Sequence, residues 1–275
     1  MIRLDDTCMK NSPMQSSKGN QFKWERDGVW YKADYTGYEG LAEYMVSGLL
    51  VYSNLKNTEF IQYQTEEIGY KKVLYRGCKS PNFLPDGWQL ITLERLFKNF
   101  YGQSLYQSLY RIEGVEERAR FLVEQVELMT GLKEFGSYLS RLLTIDALFL
   151  NEDRHMHNIA VLYDETGGYH YCPVFDNGRA LLSDTTADYP MEEDIIELIP
   201  QVKAKTLSSD FVEQLDAVEG LYGQKLSFSY DEKIISELLE KEEYYPNKIK
   251  VRVREILLQQ RRTYSYLFRE NRTIK

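Results

Sequence analysis

Residues Leu150–Ser183 read LNEDRHMHNIAVLYDETGGYHYCPVFDNGRALLS, and this stretch decides the fold. Upstream of it, Phe135, Tyr138, Leu139, Leu142, Leu143 and Ile145 form a nearly all-round apolar helix, which implies burial. A polar cluster, Asn151-Glu152-Asp153-Arg154-His155-Met156-His157-Asn158, follows directly. Ile159–Tyr163 then reads as a short strand, Asp164–Gly168 as a turn and Tyr169–Phe175 as a second strand, closed by Asp176-Asn177-Gly178. The polar ends of these two strands point the same way, so Asp153 and Asn158 can face Asp176.

That set suits phosphoryl transfer. A cation that bridges phosphates wants oxygen ligands, and one carboxylate plus one amide supply them without excess charge. A second carboxylate orients an acceptor hydroxyl and takes its proton. The spacing from Asp153 to Asn158 is that of kinase catalytic loops. Asp-x4-Asn alone is weak, because Asp and Asn are common where strands meet loops. The full order of buried helix, D-R-H-x-x-N, strand hairpin and Asp-x-Gly is strong. His155 and His157 also invite a transition-metal reading, but His170 is the sole other histidine and no cysteines cluster nearby.

Asn151 to Asn158 resembles the N-x-D-R-H-x-x-N of HipA-like kinases, and phosphoinositide-type kinases share a similar D-R-H-x-x-N. Asp176-Asn177-Gly178 resembles that family's Asp-x-Gly element. Upstream, Ser16-Ser17-Lys18-Gly19-Asn20-Gln21-Phe22-Lys23 is similar to the family's S-x-x-G-x-Q-x-K phosphate loop, with a single glycine. The resemblance implies an ATP- and Mg2+-dependent serine/threonine protein kinase. It makes Asp153 the catalytic base, supported by His155 and Asn158, and makes Asn158 and Asp176 the magnesium ligands. Ser17, Lys18, Gly19, Asn20 and Gln21 would cradle the phosphates, and Ser16 would be an autophosphorylation site. Lys32 would hold the phosphates, with Glu43 as its ion-pair partner and Glu39 as a rival. Gln89–Leu96, QLITLERL, would be the hinge, with adenine near Leu93. Beyond a protein substrate, the resemblance implies a toxin–antitoxin setting with an antitoxin-like partner protein. Fifteen residues precede the loop, where many members carry an added N-terminal subdomain.

The rest of the chain fits a two-lobed, α+β, protein-kinase-like pattern. Phe22–Trp24 and Val29–Ala33 flank Asp27-Gly28, a hairpin signal. Tyr38–Tyr52 has helical spacing, Phe60–Gln64 and Lys72–Tyr75 look like strands, and Gly77–Gly87 looks like a loop. Val115, Ala119, Leu122, Val126 and Met129 form a helix stripe with Gly131 as its stop, and Asp231–Tyr244 and Ile249–Leu267 read as further helices. The join lies near Leu90–Leu96. Residues 1–94 then form a small sheet-rich N-lobe and residues 95–275 a larger helical C-lobe.

Composition narrows the classes. The 275 residues are 43% apolar and 28% charged, which is ordinary globular composition. A formal charge of −8 argues against a direct nucleic-acid binder. No apolar run approaches the roughly 18 residues of a spanning helix, and the N-terminus lacks a signal-peptide core, so neither a membrane nor export is expected. Three widely spaced cysteines fit a reducing, cytoplasmic setting. Nine basic residues against two acidic ones mark Pro246–Lys275, a basic helix facing an acidic body. Two alternatives remain: a nucleotide-binding pseudokinase that regulates a partner, and a kinase acting on a lipid or small molecule.

Overall fold

The structure is a computed structural model that describes residues 1–10 and 21–268. Contacts gather these into two compact units. The first takes its residues from Met1–Asn82, Phe175–Val202 and Ser227–Lys275, and the second from Phe83–Val174 and Lys203–Leu226. The chain thus first passes between units after Asn82, and returns to the first unit at Phe175. The cut at 94/95 expected above follows the order of sheet and helices along the sequence, whereas packing assigns later segments back to the first unit.

The first unit holds a five-stranded sheet in the order β1-β4-β5-β3-β2. Its strands are β1 (Ile2–Arg3), β2 (Lys23–Arg26), β3 (Val29–Ala33), β4 (Gln64–Tyr70) and β5 (Val73–Pro81). Helix α1 (Glu39–Leu50) follows β3. β1 pairs with β4 in parallel, and the other neighbours are antiparallel. The β2–β3 turn places Asp27 at φ 53° and Gly28 at φ 72°, the left-handed backbone that a two-residue hairpin demands. Period-two alternation sorts β3: Tyr31 and Ala33 join Trp24, Ile68 and Tyr70 in the apolar core, and Lys32 points to the other face.

Two expectations about this sheet need correction. Phe60–Gln64 is not a strand; Phe60, Ile61 and Tyr63 are buried in irregular chain, and pairing starts at Gln64. The alternation along β4 is masked because its inward positions are Glu66, Ile68 and Tyr70, and Glu66 is buried with Lys79 at 2.9 Å. Gly77–Pro81 belongs to β5 and not to a loop. Gly77 is there for closeness: a Cβ on it would lie 2.1 Å from the Lys32 carbonyl oxygen, and one on Gly40 of α1 would lie 2.4 Å from the Gly77 carbonyl carbon. Helix and strand therefore meet backbone to backbone.

The second unit opens with β6 (Gln89–Thr92), α2 (Leu93–Tyr101), α3 (Leu105–Tyr110), α4 (Val115–Thr130) and α5 (Phe135–Phe149). Gly131 ends α4 in the left-handed conformation, at φ 73°. Helix α5 is buried around almost its whole circumference. Strands β7 (Ala160–Tyr163) and β8 (Tyr169–Tyr171) complete an antiparallel sheet ordered β6-β7-β8. β8 is shorter than the expected Tyr169–Phe175, since Pro173 has no N–H to continue the ladder.

Helix α6 (Ile195–Leu198) lies in the first unit, and α7 (Phe211–Tyr222) packs on α5 and α4 in the second. Helices α8 (Glu232–Lys241) and α9 (Asn247–Thr263) finish the first unit. Four basic residues of α9 have partners within the first unit. Lys248 lies 3.2 Å from Glu192, Lys250 lies 3.2 Å from Glu242, and Arg254 pairs with Glu232. Arg252 is buried and donates to the carbonyls of Tyr189 and Pro190, each at 3.0 Å. No helix among the described residues is long and apolar enough to cross a membrane.

Candidate active site

In the first unit one lysine gathers two carboxylates. Lys32 Nζ lies 2.8 Å from Glu43 Oε1 and 2.8 Å from Asp176 Oδ1. Glu43 is buried, and its Oε2 accepts the Asn177 N–H at 2.8 Å. A single α1 carboxylate thereby holds both the β3 lysine and the backbone of the Asp-Asn-Gly turn. Asp176 adopts φ 60°, a left-handed backbone that Asp tolerates better than most residues. Burial pulls the Lys32 ammonium down, but Asp176 and then Glu43 outweigh it and hold it well above the usual lysine value. Lys32 is therefore a fixed cation. Glu39 does not compete for it: its carboxylate accepts the N–H groups of Tyr35, Thr36 and Gly37 at the start of α1.

Beyond the Asp-Asn-Gly turn the chain is clamped. Arg179 donates to Asp184 at 2.7 Å, to Thr36 at 3.1 Å and to Asp188 at 3.2 Å. Ser183 Oγ donates back to the Gly178 carbonyl at 2.7 Å. The segment is thus tied to the same β3–α1 connection that positions Glu43.

In the second unit the D-R-H-x-x-N turn is built on a buried ion pair. Asp146, on the buried face of α5, accepts Arg154 Nε at 3.1 Å and Asn151 Nδ2 at 2.9 Å. Both charged groups are almost wholly excluded from water, with side-chain exposures of 0% and 1%. Burial pushes the Asp146 carboxyl up to about 6 against the pull of Arg154. Arg154 Nη1 also donates to the Asn158 carbonyl at 3.1 Å, so the guanidinium spans the turn. Leu150 takes the left-handed conformation, φ 57°, to leave α5 and enter the turn.

The turn sets its own amide. Asn158 Nδ2 donates to the Asp153 carbonyl oxygen at 2.8 Å and lies 3.4 Å from Asp153 Oδ2. Its donor end is thus engaged by the turn, which leaves Oδ1 as the end suited to a hard cation. Asp176, in the first unit, carries a carboxylate that Lys32 holds at 2.8 Å. This donor chemistry fits magnesium. Among the described residues no three His, Cys, Asp or Glu side chains form a metal cluster, and His155 and His157 meet edge to face at 5.6 Å.

The other sequence-predicted residues fall as follows. Ser16, Ser17, Lys18, Gly19 and Asn20 lie outside the described residues. Gln21 is half-buried just before β2. His155 braces the turn: its N–H donates to Asp153 O at 2.9 Å, its carbonyl accepts Asn158 N–H at 2.7 Å, and its ring Nδ1 accepts His157 N–H at 3.2 Å. Leu93 is fully buried as the first residue of α2, and its N–H donates to Ile159 O at 2.8 Å. That N–H is engaged within the second unit.

Sequence reasoning missed Asp146 as the anchor of Arg154 and missed Lys205 altogether. Lys205 Nζ lies 3.2 Å from Asp153 Oδ1. A lone acid inside an apolar helix was the available signal for Asp146. Lys205 stands 52 residues from Asp153 in an irregular segment with no pattern around it.

No protein-family model matches the chain, and no curated protein matches it in sequence. Its fold does match a solved structure, that of the Helicobacter pylori proinflammatory kinase CtkA. The two are 15% identical, the match covers 92% of each chain, and the TM-score is 0.59. The chain therefore has an α+β, two-lobed, kinase-like fold.

Proposed function

We propose that this chain is an ATP- and magnesium-dependent phosphotransferase that passes the γ-phosphoryl group to a serine or threonine hydroxyl of a protein. The observation that carries this reading is the grouping of Lys32, Glu43 and Asp176 in one unit, with Asp153 and Asn158 locked in one turn of the other. The likeness in fold to CtkA, itself described as a kinase, supports it.

Lys32 supplies a permanent cation for phosphate oxygens, and Glu43 keeps it in place. Asn158 and Asp176 are the residues that would hold magnesium, which when bound would supply neutralisation of the phosphate charge. Asp153 orients the acceptor hydroxyl and takes its proton as the hydroxyl oxygen bonds to the γ-phosphorus. The bond from that phosphorus to the β–γ bridging oxygen breaks, and ADP leaves. Positioning and charge do most of the work, as expected where the transition state is loose.

The HipA-like resemblance of Asn151–Asn158 supports a protein acceptor, autophosphorylation at Ser16 and an antitoxin-like partner. Replacement of Asp153 by Ala should abolish transfer and leave magnesium-ATP binding intact by calorimetry. Undiminished transfer by that variant would overturn the assignment.

A further inference from the structure

A second charged residue, brought in from a remote segment, grips the catalytic turn. Lys205 Nζ lies 3.2 Å from Asp153 Oδ1, and the next residue, Thr206, donates its Oγ1 to the Arg154 carbonyl at 2.5 Å. Two successive residues of one segment thus hold two successive residues of the turn. The segment is itself anchored from behind. Arg118 Nη1 donates to Leu207 O at 2.8 Å, Leu207 N–H donates to Gln214 Oε1 at 3.3 Å, and Ala204 N–H donates to Ser209 O at 3.1 Å.

Burial singles out the lysine. Ala204, Thr206, Leu207 and Ser208 are all buried, and Lys205 alone in that run reaches the surface. Its side chain is 36% exposed and that of Asp153 is 12% exposed. A half-exposed ion pair of this kind contributes little to stability. What it does contribute is orientation. Oδ1 of Asp153 is tied to a cation and Oδ2 stands beside the Asn158 amide, so the carboxylate is held from both sides.

We propose that Lys205 is a positioning residue for phosphoryl transfer, fixing the Asp153 carboxylate in the orientation from which it receives the acceptor proton. This rests on the kinase reading above. The residue acts through Asp153, so its loss should appear in the chemical step and not in nucleotide binding.

The test compares wild type with Lys205→Ala, Lys205→Met and Lys205→Arg. ADP release from magnesium-ATP and the thermal midpoint are measured for each. Lys205→Ala and Lys205→Met should lower kcat by about 10²-fold, the usual cost of a misplaced reacting group, with KM for ATP and the midpoint little changed. Lys205→Arg should recover part of the loss, because a guanidinium can reach the same oxygen. Wild-type kcat in Lys205→Met, alongside an inactive Asp153→Ala, would overturn the inference and leave the kinase reading standing. A raised KM with unchanged kcat would overturn it too, since Lys205 would then be serving nucleotide binding. A wild-type protein that releases no ADP would overturn the kinase reading itself, and this inference with it.

Discussion

Glu43 Oε2 accepts the backbone N–H of Asn177 at 2.8 Å while its Oε1 holds Lys32 at 2.8 Å. One buried carboxylate therefore joins helix α1, strand β3 and the Asp-Asn-Gly turn. Any movement of α1 away from the sheet breaks both contacts together.

Glu43→Gln and Glu43→Ala separate those two roles. Gln keeps an acceptor for the Asn177 N–H but loses the charge, and Ala loses both. Glu43→Ala should be the less stable of the two by about 1–3 kcal/mol, the cost of a buried donor left unpaired. Both should raise KM for ATP, because Lys32 loses its brace. Equal denaturation midpoints for the two variants would refute the backbone role.

Gly40→Ala tests the closeness of α1 to β5. The added Cβ would sit 2.4 Å from the Gly77 carbonyl carbon, so the helix must move out. Overpacking of this kind costs about 1–3 kcal/mol. Because Glu43 lies one turn further along the same helix, activity should fall with stability. Full activity in a Gly40→Ala protein would show that the Lys32–Glu43 contact tolerates the shift.

Asp146→Asn tests the support beneath the catalytic turn. It leaves Arg154 buried without its carboxylate partner, a situation that costs about 3–5 kcal/mol. Urea unfolding should report a loss in that range, and the loop-borne Asp153 should lose its activity in step. A change under about 1 kcal/mol would mean that Arg154 finds another partner or that the pair was never dry.

Much of the site was legible because its chemistry is local. Asp153 to Asn158 is one turn, Asp176 follows one hairpin later, and Glu43 is one helix after Lys32. The Asp27-Gly28 turn and the Gly131 stop also show directly in the sequence, since each needs a left-handed backbone. What escaped depends on contacts across the chain. β4 hid because Glu66 looks solvated until Lys79 is placed beside it, and the second half of β5 hid because Gly77 reads as a loop until α1 is laid on it. Helix α7 did carry local signals. Asp210 caps it by accepting the Val212 N–H at 2.7 Å, and Phe211, Leu215 and Val218 form its buried stripe. The return of Phe175–Val202 to the first unit is a matter of packing, which no short pattern encodes.

Asp34 predicts a pH dependence of stability. Burial and then the nearby Glu39 carboxylate push its carboxyl from the ordinary 3.8 up to about 7, while Tyr245 and the Gly40 N–H pull the other way. The folded state therefore holds a proton that the unfolded chain has already released. The associated stabilisation is complete below about pH 4 and is lost as pH rises toward about 7. Asp146, raised to about 6, adds to the lower part of that window, so Asp34 dominates its upper end. Asp34→Asn should flatten the stability profile from about pH 6 to 7, measured by urea unfolding at each pH. An unchanged slope there would assign the dependence to another group.

The most direct test of the central claim is single-turnover conversion of magnesium-ATP to ADP by the purified protein, beside Asp153→Ala and Asp176→Ala. The account predicts ADP from wild type, none above background from Asp153→Ala, and lost magnesium dependence of nucleotide binding in Asp176→Ala. Tight magnesium-ATP binding by wild type with no ADP formed, or ADP formed equally by wild type and Asp153→Ala, would contradict it.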